Sequence, residues 1–337
     1  MPARRPSSDP GHDAVRVPVY GVQANRRPPT KMNSPLPCIP VYVTVLLALL
    51  LPFTQAISAE FTKVRVAAIS FVPKKFDLTH NTKRLETLFT DAARNGAKIA
   101  VAPEGALEGY VVNEIIGEKA PPESMHNLAI EIDSPIIRCF QKLARKLDLC
   151  LVFGFAERIG KDVFNCAVFI DNTGKIAGKQ HKMQFAEGYH PDWWFNRLAK
   201  NNRAFVTPYG RAGIVICNDR WNPEIARIPA LDGAQYLIIP SFGSRSKRQD
   251  EAVLARGVEN NLPIIEANVG VTLIVSENKI AAVDRNAEGI TYANIKIPQR
   301  SVVKPKERDQ TEAKFLKWRQ TEMKKRLGRT MERLKKE

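Results

Sequence analysis

From residue 63 onward the chain repeats one pattern: a short run that is apolar along its whole length, then an amphipathic stretch, then another apolar run. A strand that is apolar throughout has no solvent face, so it belongs to a sheet covered on both sides. KVRVAAISF (63–71), AKIAVAPE (97–104), LCLVFGFAE (149–157), VFNCAVFID (163–171), AGIVICND (212–219), AQYLIIPSF (234–242) and PIIEANVG (263–270) read this way, followed by LIVSEN and ITYANIKI. Between them, residues 81–95 put Leu85, Leu88, Phe89 and Ala92 on one helical face, with Gly96 as the stop. Ser134-Pro135 starts a second helix whose buried stripe is Ile136, Ile137, Phe140, Leu143 and Leu147. Asn172-Thr173-Gly174 turns the chain back through KIAGKQHKM, and two more helices are expected over 223–231 and 250–260. There is no internal repeat. With 44% hydrophobic residues, the segment 61–298 reads as one α/β domain with a sizeable core.

Charge separates the two ends from this domain. The formal net charge is +16, of which residues 1–59 carry +4 and residues 304–337 carry +7, leaving +5 between them. The basicity therefore lies outside the domain, and no nucleic-acid partner is implied. Residues 1–38 read as a disordered leader rich in Pro, Arg and Ser. IPVYVTVLLALLLPF with the small residues Ala56, Ser58 and Ala59 (39–59) reads as a signal peptide for export to a periplasm or the medium. An uncleaved membrane anchor is the alternative, although about 15 apolar residues fall short of the ~20 that span a bilayer. The tail 299–337 reads as a basic amphipathic helix packing on its own domain or a partner, with weak contact to a membrane surface or anionic polymer as the other reading.

The five cysteines form no CxxC pair and the five histidines no metal-ligand spacing, so a metal site is not expected. Cys150 and Cys166 read as small buried thiols, with a disulfide between them as the alternative. Three expected strand ends nevertheless present one reactive group each: Glu104 in PEGALEGY, Lys182 in GKIAGKQHKMQF after the Gly174 turn, and Cys217 in GIVICND. Alone, each has an ordinary explanation as a strand-end cap, a solvated amine or a small core residue. Together they supply a general base, a cation and a thiol, the set that covalent acyl transfer needs.

Pro103-Glu104 with Gly109-Tyr110, Gly174 leading to Lys182, and Cys217-x-Asp219 with Pro223-Glu224 resemble the three motifs of the carbon–nitrogen hydrolase (nitrilase) superfamily. ARGVEN (255–260) and ANVG (267–270) resemble a later family segment, and the likeness spans nearly all of 63–298. It implies an α-β-β-α sandwich, no cofactor, and a Glu104–Lys182–Cys217 triad acting through a thioester. It also implies a second glutamate, here Glu187, and an oxyanion donor in the backbone of Asn218. Tyr110 falls in the substrate region. Cys217-Asn-Asp-Arg220 resembles the N-carbamoyl-amino-acid amidohydrolase branch, which implies that Arg220 grips a substrate carboxylate; pairing of Arg220 with Asp219 or Glu224 is the structural alternative. The expected activity is amide or N-carbamoyl hydrolysis on a small molecule. The alternatives are a nitrile hydrolase and a non-catalytic envelope protein binding anionic polymers. A homodimer or larger oligomer is expected, pairing through the 223–231 helix by way of Ile225, Ile228 and Leu231.

Overall fold

A computed structural model describes residues 61–299 and 301–336. The leader, the apolar segment and Cys38 lie outside the described residues. Strands β1 (Phe61–Ser70), β2 (Ile99–Val101), β3 (Cys150–Ile159), β4 (Asp162–Ile170), β5 (Ile176–His181) and β12 (Gly289–Pro298) form one sheet, in the order β12-β1-β2-β3-β4-β5. Strands β6 (Phe205–Thr207), β7 (Gly210–Ile214), β8 (Tyr236–Ser241), β9 (Ile264–Asn268), β10 (Val271–Ser276) and β11 (Lys279–Asp284) form the second, in the order β11-β10-β9-β8-β7-β6.

The alternation of side chains along each strand explains the apolar runs. In β3, Leu151, Phe153 and Phe155 point outward under helices α1 (Leu78–Arg94) and α4 (Pro135–Leu147), where they meet Phe89 and Phe140. Cys150 and Val152 point inward and pack with Ile214, Tyr236, Ile238 and Ile265 of the other sheet. Helices α5 (Pro223–Leu231), α6 (Lys247–Asn260) and α7 (Pro305–Leu334) cover the second sheet, with Ile225, Val253 and Phe315 against Leu237 and Leu273. The architecture is the four-layer α-β-β-α sandwich. Two short helices, α2 (Val112–Ile116) and α3 (Glu123–Leu128), fill the long β2–α4 connection and have too few residues to show a period.

Two expectations are corrected at this level. The 223–231 helix forms, but Ile225, Ile228 and Leu231 are buried within the chain, with Phe315 of the tail in the same cluster as Ile225. This stripe is already covered and does not face a partner. Cys217 does not end a strand either: β7 stops at Ile214, and Cys217 opens a 3₁₀ turn running to Trp221.

Candidate active site

The three reactive groups meet where loops leave the facing sheets. Glu104 follows the short strand β2, close against β3. A Cβ on Gly154 of β3 would lie 2.5 Å from the Glu104 Cα, so only glycine permits this approach. The Glu104 carboxylate is buried and accepts from Lys182 Nζ at 2.5 Å, from Asn165 Nδ2 at 2.6 Å, and from the Phe242 backbone N–H at 3.1 Å. Lys182 is only 2% exposed. Burial pulls its ammonium toward the neutral form, but Glu104, Cys217 and Glu187 push the other way and prevail, so it stays charged.

Cys217 has φ 47°, the left-handed region that a non-glycine residue enters at a cost on the order of 1–3 kcal/mol. Asp219 fixes that turn. Its carboxylate accepts from the backbone N–H of Ile216 (3.4 Å), Met183 (3.0 Å) and Gln184 (3.0 Å), tying the nucleophile's turn to the residues just after Lys182. Cys217 Sγ lies 3.6 Å from the Phe242 carbonyl, and Phe242 N–H donates to Glu104, so one residue bridges thiol and carboxylate. Burial pushes the thiol up to about 11, Glu104 raising it further while Lys182 and Arg220 lower it. The resting group is therefore a thiol, and its use as a nucleophile requires a neighbouring base.

Around this centre, Tyr110 stacks on Phe242 with ring centroids 4.8 Å apart, and Lys182 Nζ lies 5.8 Å from the Tyr110 ring. Glu187 is near enough to act electrostatically on both Lys182 and Tyr110. The Asn218 carbonyl accepts from Gln184 Nε2 at 2.9 Å, while its own Nδ2 is buried without a hydrogen-bond partner among the described residues. Asn165 and Phe242 were not anticipated. The polar Asn165 within VFNCAVF was the signal for one of them.

Arg220 corrects an expectation. It is 1% exposed, and its guanidinium donates to Ser241 Oγ (2.6 Å) and Glu266 Oε1 (2.9 Å). Asp219 is taken by backbone donors and Glu224 by Lys314, so neither of the partners weighed from sequence is the real one. Glu266 also accepts from Gln249 and Ser241, while Asn268 holds the Gly243 N–H and the Ser244 carbonyl. This network props the 241–244 segment beside the nucleophile. Arg220 is thus committed to the protein, not presented to a carboxylate ligand. Arg220→Ala is expected to cost ~3–5 kcal/mol of stability by stranding buried Glu266, where an exposed arginine would cost almost nothing. Chemical denaturation of the purified variant measures this.

Glu108 is another buried carboxyl near the centre. Its Oε2 accepts from the Ala156 N–H at 3.2 Å, and its Oε1 has no hydrogen-bond partner among the described residues. Burial pushes it up to about 7 from an ordinary 4.5. A raised carboxyl favours the protonated fold, so its stabilising share is complete below about 4.5 and is lost as pH rises through about 7. Glu108→Gln is expected to match wild type near pH 4.5 and to be more stable at pH 8, by on the order of 3 kcal/mol. Thermal melts at the two pH values check the sign.

On the reverse face of the first sheet, Glu157, Cys166 and His181 bring ligand atoms within 4.8 Å of one another, a group that could hold a metal ion. Three neighbouring strands supply them, which is why spacing along the chain gave no sign. Here Glu157 accepts from Lys179 and His181. Cys150 and Cys166 are free thiols on opposite faces of the sheet, which rules out the disulfide alternative.

The profile of the Carbon-nitrogen hydrolase family matches residues 65–304. The chain belongs to that family. It is a hydrolase of carbon–nitrogen bonds. It is 31% identical over 259 residues to a citrullinase of Francisella tularensis subsp. tularensis, covering 68% of this chain and 87% of that one. It is 30% identical over 219 residues to an N-carbamoylputrescine amidase of Solanum tuberosum, covering 64% and 71%. Among solved structures, the hydrolase resembles an amidase double mutant from Nesterenkonia sp. AN1 in complex with acrylamide. The TM-score is 0.58 at 18% identity, over 69% of this chain and 90% of that one, a likeness of fold.

Proposed function

We propose that the hydrolase cleaves N-carbamoyl or simple amide bonds of small molecules through a thioester on Cys217, with Glu104 as base and Lys182 as oxyanion cation. The observation that carries this reading is the bridge at Phe242: one backbone unit touches both the buried carboxylate and the thiol, with the Lys182 ammonium on the same carboxylate. A thiol held near 11 is inert without a base, and Glu104 is the carboxylate beside it.

In this account Glu104 takes the Sγ proton as sulfur bonds to the carbonyl carbon. The negative charge that develops on oxygen is met by Lys182 and the Asn218 backbone N–H. Glu104 returns its proton to the leaving nitrogen as the C–N bond breaks. It then deprotonates a water that attacks the thioester and frees Cys217. A carbamoyl thioester would give carbamate, which decomposes to ammonia and carbon dioxide. Glu187 acts on Lys182 from the loop that follows it, and Tyr110 with Phe242 forms an aromatic wall.

The two relatives are named for citrulline and N-carbamoylputrescine, both of which carry a carbamoyl group on nitrogen, and this favours the carbamoyl class. Because Arg220 is tied to Glu266, the carboxylate preference expected from the tetrapeptide is dropped. Assembly as an oligomer and export remain part of the proposal, with pairing through a face other than the covered 223–231 stripe. The test is an ammonia-release screen over carbamoyl amines, amides and nitriles, with Cys217→Ala as the blank. Release from carbamoyl amines or amides supports the reading. Release from nitriles alone, or inertness toward all three classes, overturns it.

A further inference from the structure

We propose that the C-terminal helix α7 is a strap that positions the Lys182–Glu187 loop for catalysis, and that Arg319, Arg326 and Thr330 are its positioning residues. The proposal rests on the functional reading of Lys182 above. The family match ends at residue 304 and α7 begins at Pro305, so the strap lies outside what this chain shares with the family profile.

The loop after β5 has no regular structure of its own through residue 190. Its backbone groups must therefore find partners elsewhere. On the inner side, Asp219 takes the N–H groups of Met183 and Gln184. On the outer side, α7 takes the carbonyls of every second residue. Arg319 donates to Met183 O (2.9 Å), Arg326 to Phe185 O (3.0 Å), and Thr330 Oγ1 to Glu187 O (2.8 Å). Arg319 also donates to Ala199 O (2.6 Å), while the Ala199 N–H donates to Lys182 O (3.0 Å), closing the far end of the excursion on the lysine itself.

The helix approaches the loop backbone directly at Gly188. A Cβ there would lie 2.2 Å from the Leu327 nitrogen, so only glycine admits the strap. Residues 315, 319, 323, 326 and 330 recur at intervals of three and four, so the stripe that seats α7 through Phe315 and Met323 is the stripe that grips the loop. At Arg319 one guanidinium nitrogen, Nη1, serves both carbonyls through its two in-plane hydrogens. Elsewhere on the helix Arg308 pairs with Asp232 and Lys314 with Glu224. The charges that matter here hold backbone oxygens.

The strap thus ties the ammonium and Glu187 to the same frame as the nucleophile, and a shift of about 1 Å in a catalytic group can cost on the order of 10²-fold in rate. The test compares full-length Thr330→Val, Arg326→Met, Arg326→Lys and Arg319→Met with wild type. Lys314→Ala serves as the control on the same helix, since Lys314 is exposed and pairs with Glu224, away from the loop. The readouts are kcat and KM on the substrate found by the ammonia screen, and amide hydrogen exchange over residues 183–188. Expected are a fall in kcat of roughly tenfold for Arg326→Met and up to ~10²-fold for Arg319→Met, with KM nearly constant and faster loop exchange. Arg326→Lys is expected to recover most of the loss, and Lys314→Ala to behave as wild type. If Arg319→Met does not fold, Thr330→Val, which removes one neutral hydrogen bond, carries the test with a several-fold loss in kcat.

Faster exchange with unchanged kcat in the strap variants would overturn the proposal, as would equal losses in Lys314→Ala. Turnover by Cys217→Ala would instead remove the functional reading on which it rests. An inert Cys217→Ala beside strap variants of wild-type kcat would remove the strap alone.

Discussion

Cys217→Ala is expected to lose ammonia release by a factor on the order of 10⁶ while melting close to wild type, the size of loss seen when the nucleophile is removed from a covalent hydrolase. The two halves of this expectation come from the same geometry. The thiol's one hydrogen-bond contact among the described residues is the weak one at 3.6 Å to the Phe242 carbonyl, so its removal withdraws little polar support from the fold. The left-handed φ of 47° is met by alanine as it is by cysteine, leaving the turn unchanged. Cys217→Ser should be nearly as inactive, because the hydroxyl is far less acidic than a thiol that burial has already pushed up to about 11. Steady-state kinetics and thermal melting on the same preparation check both halves.

Lys182→Met is expected to fail on both counts. Lys182 and Glu104 form an ion pair in which neither side chain is more than 1% exposed. Removing the ammonium leaves a buried carboxylate with only Asn165 and the Phe242 N–H as donors. Breaking a pair of this kind costs ~3–5 kcal/mol, a large part of the ~5–15 kcal/mol that holds a typical domain folded. The loss of the oxyanion cation adds a rate deficit of about 10²–10³. Lys182→Met with Glu104→Gln is then expected to regain much of the stability and none of the activity, since the double variant buries no lone charge. Denaturant titration of the two singles and the double separates the effects as a coupling free energy.

How far the sequence reached can be followed residue by residue. Glu104 and Cys217 were legible because each closes an apolar run, which in an α/β chain ends where the sheet opens; Lys182 follows the polar segment GKIAGKQH and was legible through the motif that leads to it from Gly174. The covered sheets were legible because central strands such as β3, β8, β9 and β10 are buried on both faces, while the four-layer arrangement followed from the family resemblance. The edge strands β6 and β11 were missed: β6 is only three residues long, and β11, with the short run IAAV, is largely exposed along its length. Arg220 was misread because its partner, Glu266, lies 46 residues away on β9, and no local pattern announces that contact. Asp219 stands out in sequence only as part of the Cys217-x-Asp219 motif; in the fold it holds the backbone after Lys182, a link between two segments 36 residues apart. The tail shows the same limit. Its helix was readable from the spacing of Phe315, Met323 and Leu327, but the arginines that grip the loop look in sequence like any solvated charge.

The measurement that bears most directly on the central claim is acid-quenched mass spectrometry of the wild-type hydrolase during turnover of a carbamoyl or amide substrate found in the screen, with the modified peptide sequenced. The account predicts an adduct of the acyl or carbamoyl mass on the peptide that contains Cys217, formed before steady state and lost as substrate is exhausted. An adduct on any other residue, or sustained turnover by Cys217→Ala, would contradict it.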